Sequence, residues 1–154
     1  MNYTQLLENE HATLELGKQL AASLGNIHVI YLEGVLGAGK TTFTRGFLHG
    51  MGYAAAVKSP TYTLVETYPL AAITVHHFDL YRIGAAHELE EMGFRDYFAP
   101  DTLCLIEWPE RAPQLPPPDL ICLLEVVGLK RNITITAHSE AGKQCVVSLG
   151  RISD

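Results

Sequence analysis

The chain has 154 residues, 47% of them hydrophobic and 18% charged, with a formal net charge of −6. That size supports one domain whose core needs no disulfide or metal staple, and the composition is that of a soluble globular protein. No apolar run reaches the roughly 20 residues of a membrane span. The 11 Lys and Arg residues are scattered, not gathered into the basic face of a stand-alone nucleic-acid binder. Met1 to Glu8 shows no basic stretch followed by an apolar core, so no signal peptide is expected. Cys104, Cys122 and Cys145 are far apart and form no C-x-x-C. Free thiols in a reducing cytoplasm are the expectation.

In chain order, Asn9 to Leu24 reads as a helix. Ala12, Leu16, Leu20 and Leu24 recur at i+4, and Gly25 suits the residue after its end. Ile27 to Leu32 is a mostly apolar, β-branched run that predicts a buried strand. Gly34-Val35-Leu36-Gly37-Ala38-Gly39-Lys40-Thr41 then fits G-x-x-x-x-G-K-[ST], the phosphate-binding P-loop. In that motif backbone N–H groups cradle phosphate oxygens, the lysine (Lys40) reaches the β- and γ-phosphates, and the hydroxyl (Thr41) binds Mg²⁺. Thr42 to Leu48 carries Phe43, Phe47 and Leu48 at helical spacing. The helix they predict points its N-terminus at the same anion. The start of the first helix, Glu10 to Thr13, then becomes a candidate contact for the base.

Ser59-Pro60 forces an extended or turned backbone, and Tyr62 to Tyr68 alternates like a strand. Thr61, entering that strand, is either a γ-phosphate sensor or an ordinary turn residue. Ala72 to Leu80 is a further strand that ends in an acid, Asp79, the Walker B form. Its neighbours His76 and His77 point to opposite faces, so they do not share a metal; one is expected to be packed and the other partly exposed. His87 to Met92 reads as a short acidic helix ending at Gly93, followed by a turn over Phe94 to Phe98. Leu103 to Glu107 is another buried strand ending in an acid, and Pro109 stops its pairing. Asp79 and Glu107 are thus both Walker B candidates, and the pattern alone does not rank them. Trp108 is either packing or an aromatic beside the nucleotide.

After the proline-rich connector Arg111 to Asp119, three strands are expected: Leu120–Val127, Asn132–Ala137 and Gln144–Leu149. The sum is a single α/β P-loop NTPase domain over residues 1–154, in three layers. Its mixed central sheet has parallel strands around the P-loop and antiparallel C-terminal strands at an edge. No N-K-x-D or D-x-x-G marks a GTPase, and the chain is too short for a transporter ATPase. The arginines do not cluster and no insertion is long enough for a kinase lid. What remains is a minimal ATPase whose hydrolysis drives a partner, with a small-molecule P-loop kinase and a non-catalytic nucleotide sensor as alternatives.

Gly34–Thr42, Ser59-Pro60-Thr61-Tyr62-Thr63, His77-Phe78-Asp79-Leu80-Tyr81-Arg82, the acidic turn Glu88–Gly93 and Ile106-Glu107-Trp108-Pro109 together resemble the TsaE (YjeE) family. The resemblance spans nearly the whole chain, strongest from Tyr31 to Pro109. Members are bacterial ATPase subunits of the complex that makes threonylcarbamoyladenosine in tRNA. The resemblance implies weak intrinsic hydrolysis of ATP with Mg²⁺, in the cytoplasm. It also implies work with TsaD and TsaB, which modify adenosine 37, so that tRNA is met only through the complex. It implies phosphate and nucleotide binding by Leu36, Gly37, Ala38, Gly39, Lys40, Thr41 and Thr42, with Glu10 and Trp108 beside the nucleotide. Thr41 and Glu107 are the implied Mg²⁺ ligands; Lys40, Asp79, Glu107 and Thr61 are the implied catalytic set. One departure is Val35, where the family commonly has Asp.

Overall fold

The computed structural model describes residues 1–153. Seven strands form one sheet in the order β1-β7-β6-β2-β5-β4-β3. They are β1 (Asn2–Leu7), β2 (Val29–Glu33), β3 (Val65–Pro69), β4 (Thr74–Asp79), β5 (Thr102–Glu107), β6 (Leu120–Val127) and β7 (Lys130–Ala137). The inner strands β4, β5, β2 and β6 are parallel. Antiparallel partners complete both sides, β3 against β4, and β7 then β1 beyond β6. The helices are α1 (Glu10–Ala21), α2 (Lys40–Gly50), α3 (His87–Glu91) and α4 (Glu140–Ser153). Short 3₁₀ turns follow at Phe94–Tyr97 and Pro109–Arg111.

Each face of the sheet has its own apolar layer. Leu16, Leu20, Phe43, Phe47, Leu105, Ile133 and Leu149 join α1, α2 and α4 to one face. Phe78, Leu89, Phe94, Cys104 and Ile106 fill the other, beneath α3 and the 3₁₀ turn after it. Alternation along β4 and β5 decides which residue goes where: Val75 and Leu105 belong to the first layer, Phe78 and Ile106 to the second. The α/β class and mixed sheet expected from the sequence are therefore observed.

Helix α1 starts where Asn9 caps it, its side chain accepting from Ala12 N–H at 2.9 Å. It packs closely on α2 at three glycines. A Cβ on Gly17 would strike the Phe43 carbonyl, and one on Gly46 the Leu14 carbonyl. One on Gly50 would reach Lys18 and Ala21.

Three segments differ from the sequence reading. Gln144–Leu149 is not a strand; it lies inside α4. Its apolar residues gave the strand signal, but Cys145 and Leu149 recur at i+4 and are buried on one helical face. Ser139 starts that helix, its hydroxyl accepting from Gly142 N–H at 3.0 Å. The strand that ends this side of the sheet is β1, from the other end of the chain, antiparallel to β7. Strand β6, expected as an antiparallel edge strand, lies inside the sheet and runs parallel to β2. The expected strand Tyr62–Tyr68 begins only at Val65. Residues 60–64 form a turn closed by Leu64 N–H donating to the Pro60 carbonyl at 2.9 Å, with Leu64 at φ 68°.

Candidate functional site

The site lies at the carboxyl ends of the parallel strands, where open α/β sheets bind ligands. Strand β2 delivers the loop Gly34–Gly39, and α2 begins at Lys40. Gly34 sits at φ 149°, and a Cβ there would be 2.6 Å from the Leu124 carbonyl of β6. Glycine at this point lets the loop cross the neighbouring strand. Gly37 and Gly39 also have positive φ, 81° and 106°. Gly39 is the N-cap of α2, which no side chain caps. The first N–H groups of that helix have no intrahelical acceptor and suit an anion.

Lys40 is buried, with a side chain that donates to the Gly34 carbonyl. Its ammonium sits 4.2 Å from the centroid of the Trp108 ring. Burial holds the ammonium below the usual lysine range, against the upward pull of Glu107, Asp79 and Glu110. Asp79 and Glu107 end β4 and β5 directly opposite each other. Burial holds the Asp79 carboxyl above the usual carboxylate range. Tyr81 N–H, donating to Asp79 Oδ1 at 3.0 Å, works the other way. Asp79 N–H in turn donates to the Leu64 carbonyl at 2.9 Å, tying β4 to the 60–64 turn.

Trp108 follows Glu107 with a left-handed backbone, φ 59° and ψ 49°. A non-glycine residue there carries strain, and such strain gathers at functional sites. The ring is half-buried, 4.9 Å from that of Tyr81, and the Arg111 guanidinium lies 6.0 Å from its centroid and 5.5 Å from that of Tyr81. The conformation turns the indole back over Lys40 and sends the chain into its 3₁₀ turn.

A cavity of about 270 Å³ adjoins the loop, lined by Asn9, Glu10, Thr13, Gly37, Gly39, Thr42, Leu129 and Arg131. Glu10 and Thr42 thus face one space, with Glu10 3.5 Å from Arg45 of α2. Arg131 donates to the Gly37 carbonyl at 3.2 Å. Of the sequence-predicted residues, the structure gathers Glu10, the loop, Lys40, Thr41, Thr42, Asp79, Glu107 and Trp108 around one end of the sheet. Thr61 lies on the 60–64 turn that Asp79 holds at Leu64, its hydroxyl 2.7 Å from that of Ser59.

Two members escaped the sequence reading. Arg131 was one of six scattered arginines; only the β6–β7 hairpin brings it to the P-loop. His77 was expected to pack or to be partly exposed, as one of a pair with His76. Both are buried. His76 lies on the opposite face, its Nδ1 2.8 Å from the Thr67 hydroxyl and its ring edge-on to Tyr97. His77 Nε2 is 2.6 Å from Glu107 Oε2. His77 shares the face of Asp79, and its partner comes from the neighbouring strand β5, which the local sequence does not show.

The donor set near the loop is oxygen: the Thr41 hydroxyl, exposed at the start of α2, and the Glu107 carboxylate. Hard oxygen donors fit Mg²⁺, which keeps several waters and completes its shell with substrate phosphates. No cluster of three or more His, Cys, Asp or Glu residues suited to a metal occurs among the described residues. An all-protein metal cage is therefore not what this site offers.

The chain is similar to known proteins along most of its length. Residues 7–143 match the family model "Threonylcarbamoyl adenosine biosynthesis protein TsaE". A relative from Haemophilus influenzae, named tRNA threonylcarbamoyladenosine biosynthesis protein TsaE, is 46% identical, covering 93% of this chain and 94% of that one. One of the same name from Bacillus subtilis is 39% identical over 84% of this chain and 82% of that one. The crystal structure of Bacillus subtilis YdiB superposes with a TM-score of 0.81 at 30% identity, covering 100% of this chain and 97% of that one. With the model matched from β1 to α4 and relatives this similar along almost their whole length, the chain belongs to the TsaE family.

Proposed function

We propose that this chain is the ATP-binding and ATP-hydrolysing subunit that drives turnover of a TsaB–TsaD complex in threonylcarbamoylation of adenosine 37 of tRNA. One observation carries the reading. The buried Lys40 ammonium stands at the mouth of a glycine loop, beside two acids at adjacent strand ends. A fixed cation and an uncapped helix start suit a polyphosphate.

In this reading the loop and α2 bind the phosphates, and Lys40 offsets charge on the β- and γ-oxygens. Thr41 and Glu107 would hold Mg²⁺, which when bound supplies further charge neutralisation at the phosphates. Asp79 assists beside the metal site and the attacking water. Trp108 keeps solvent from Lys40. The Glu10 and Arg131 cavity receives the base end of the nucleotide, and Thr61 approaches the γ-phosphate by movement of its turn. Turnover is slow until a partner orders these parts. The net charge of −6 supports contact with tRNA through the complex, not by this chain. Among the described residues no helix is long and apolar enough to cross a membrane, and a cytoplasmic setting fits the free thiols.

The test is the ATPase rate of the parent and of Lys40→Ala, each with and without purified TsaB–TsaD and Mg²⁺. The expected result is slow Mg²⁺-dependent hydrolysis, stimulated by the partners and lost in Lys40→Ala. An unchanged rate in Lys40→Ala would overturn the site. Phosphate transfer to a hydroxyl acceptor faster than hydrolysis would favour a kinase instead.

A further inference from the structure

We propose that His77 is a positioning residue for Glu107, fixing the carboxylate in the orientation that receives Mg²⁺. The inference rests on the reading of Glu107 as a magnesium ligand. In the register of β4 and β5, His77 pairs with Leu105, so Glu107 lies two residues further along on the same face. The imidazole crosses that diagonal, and its Nε2 approaches Glu107 Oε2 to 2.6 Å. The two side chains are only 1% and 5% exposed.

Three features separate this contact from ordinary packing. A buried carboxylate without a hydrogen bond is costly, and a proton on Nε2, the nitrogen that faces the carboxylate, satisfies Oε2 of Glu107. The other imidazole nitrogen, Nδ1, is buried with no partner. An aliphatic residue would fill the position without that orphan, so what the imidazole adds is its bond to Glu107. Finally, the neighbouring acid is held differently. Asp79 Oδ1 takes a backbone N–H, from Tyr81. The side-chain donor is thus spent on the acid that is to meet the metal, as outer partners orient ligands in metal sites.

The experiment titrates Mg²⁺ into the full chain at fixed ATP and follows fluorescence of Trp108, the chain's single tryptophan. Binding of ATP without Mg²⁺ and thermal melts are recorded in parallel. His77→Leu is expected to raise the Mg²⁺ midpoint about tenfold or more, with metal-free ATP binding unchanged. His77→Gln, whose amide can reach the same carboxylate, is expected to recover most of that loss. A folded His77→Leu with the parent midpoint would overturn the assignment. If His77→Leu does not fold, His77→Asn replaces it: its shorter amide should behave like the deletion, and equal midpoints for the Asn and Gln variants would overturn the assignment. A parent whose ATP binding ignores Mg²⁺ would overturn the magnesium reading itself. A Mg²⁺-dependent parent with an unaltered His77→Leu would sink this inference alone.

Discussion

Asp79 and Glu107 stand opposite each other in the register of β4 and β5, two buried carboxyls at one level of the sheet. Neither is closed off by the surrounding core, because Lys40 and the glycine loop lie beside them. Burial first, and then the Glu107 charge, press the Asp79 carboxyl upward. The fold therefore holds carboxyl charge in an unfavourable place.

That arrangement has a stability signature. A carboxyl whose folded value is raised binds more protons folded than unfolded, so stability falls as pH climbs from the ordinary carboxylate range through the raised value. Asp79→Asn removes that loss. Its melting temperature in the absence of ligand should exceed the parent's at neutral pH and converge with it at about pH 3, below both carboxyl values. ATP hydrolysis should fall about tenfold or more. A parent that melts no lower than Asp79→Asn at neutral pH would contradict the buried-charge account.

The α1–α2 contact gives a second prediction. Gly→Ala in an open helix stabilises by about 1 kcal/mol. At Gly46 the added methyl would meet the Leu14 carbonyl, and overpacking costs about 1–3 kcal/mol or more. The clash should win. Gly46→Ala should lower the denaturant midpoint by an amount equivalent to at least about 1 kcal/mol, whereas Gly150→Ala, with open space around it, should not.

His76 supplies a test of pH. Burial holds its imidazole below the usual histidine range. The unfolded chain then takes up protons more readily than the folded one, so stability is complete above the ordinary imidazole value and is lost as pH falls below it. His76→Phe keeps a ring against Tyr97 but cannot be protonated. Between about pH 7.5 and about pH 5, its melting temperature should fall less than the parent's.

The thiols should be silent. Cys104, Cys122 and Cys145 are all buried, and burial pushes Cys104 up to about 12 and Cys145 to about 11. Thiolate is the reactive form, so at pH 8 a disulfide reagent should label the native protein only as fast as it opens. In denaturant all three should react at once. Rapid labelling of native protein would show that one of the two apolar layers opens readily.

The phosphate loop was legible because its chemistry and its backbone demand the same few residues at fixed spacing. Gly34, Gly37 and Gly39 all take positive φ, as the motif requires. The strand ends at Asp79 and Glu107 were legible for a similar reason: a carboxylate closing a buried apolar strand is costly unless it meets a charge, a donor or a ligand. Less was readable where meaning depends on a distant partner. Val146 and Val147 carry a strand-like preference, yet Ser139 caps a helix there, and packing against β7 and β1 overrides the local signal. Nothing in residues 2–7 announces β1, because its pairing is supplied by residues 131–136. His77 and Arg131 were hidden by the same cause. Each acquires its role from a neighbour dozens of positions away, Glu107 for one and Gly37 for the other.

The glycine contacts between α1 and α2 also divide the molecule into a fixed side and a free side. Backbone rests on backbone at Gly17 and Gly46, and Gly50 rests on Lys18 and the Ala21 methyl, so sliding one helix along the other would drive side chains into carbonyls. Lys40 and Thr41 ride on one of these helices and Glu10 on the other, so the glycine loop's end and the cavity beside it are clamped to a single anvil. The 60–64 turn has no such seam. Its tie to the cleft is the Leu64 carbonyl held by Asp79, and its Tyr62 ring stands 83% exposed against Arg82. The turn that carries Thr61 and Tyr62 therefore hangs from the acid end of β4, outside that anvil.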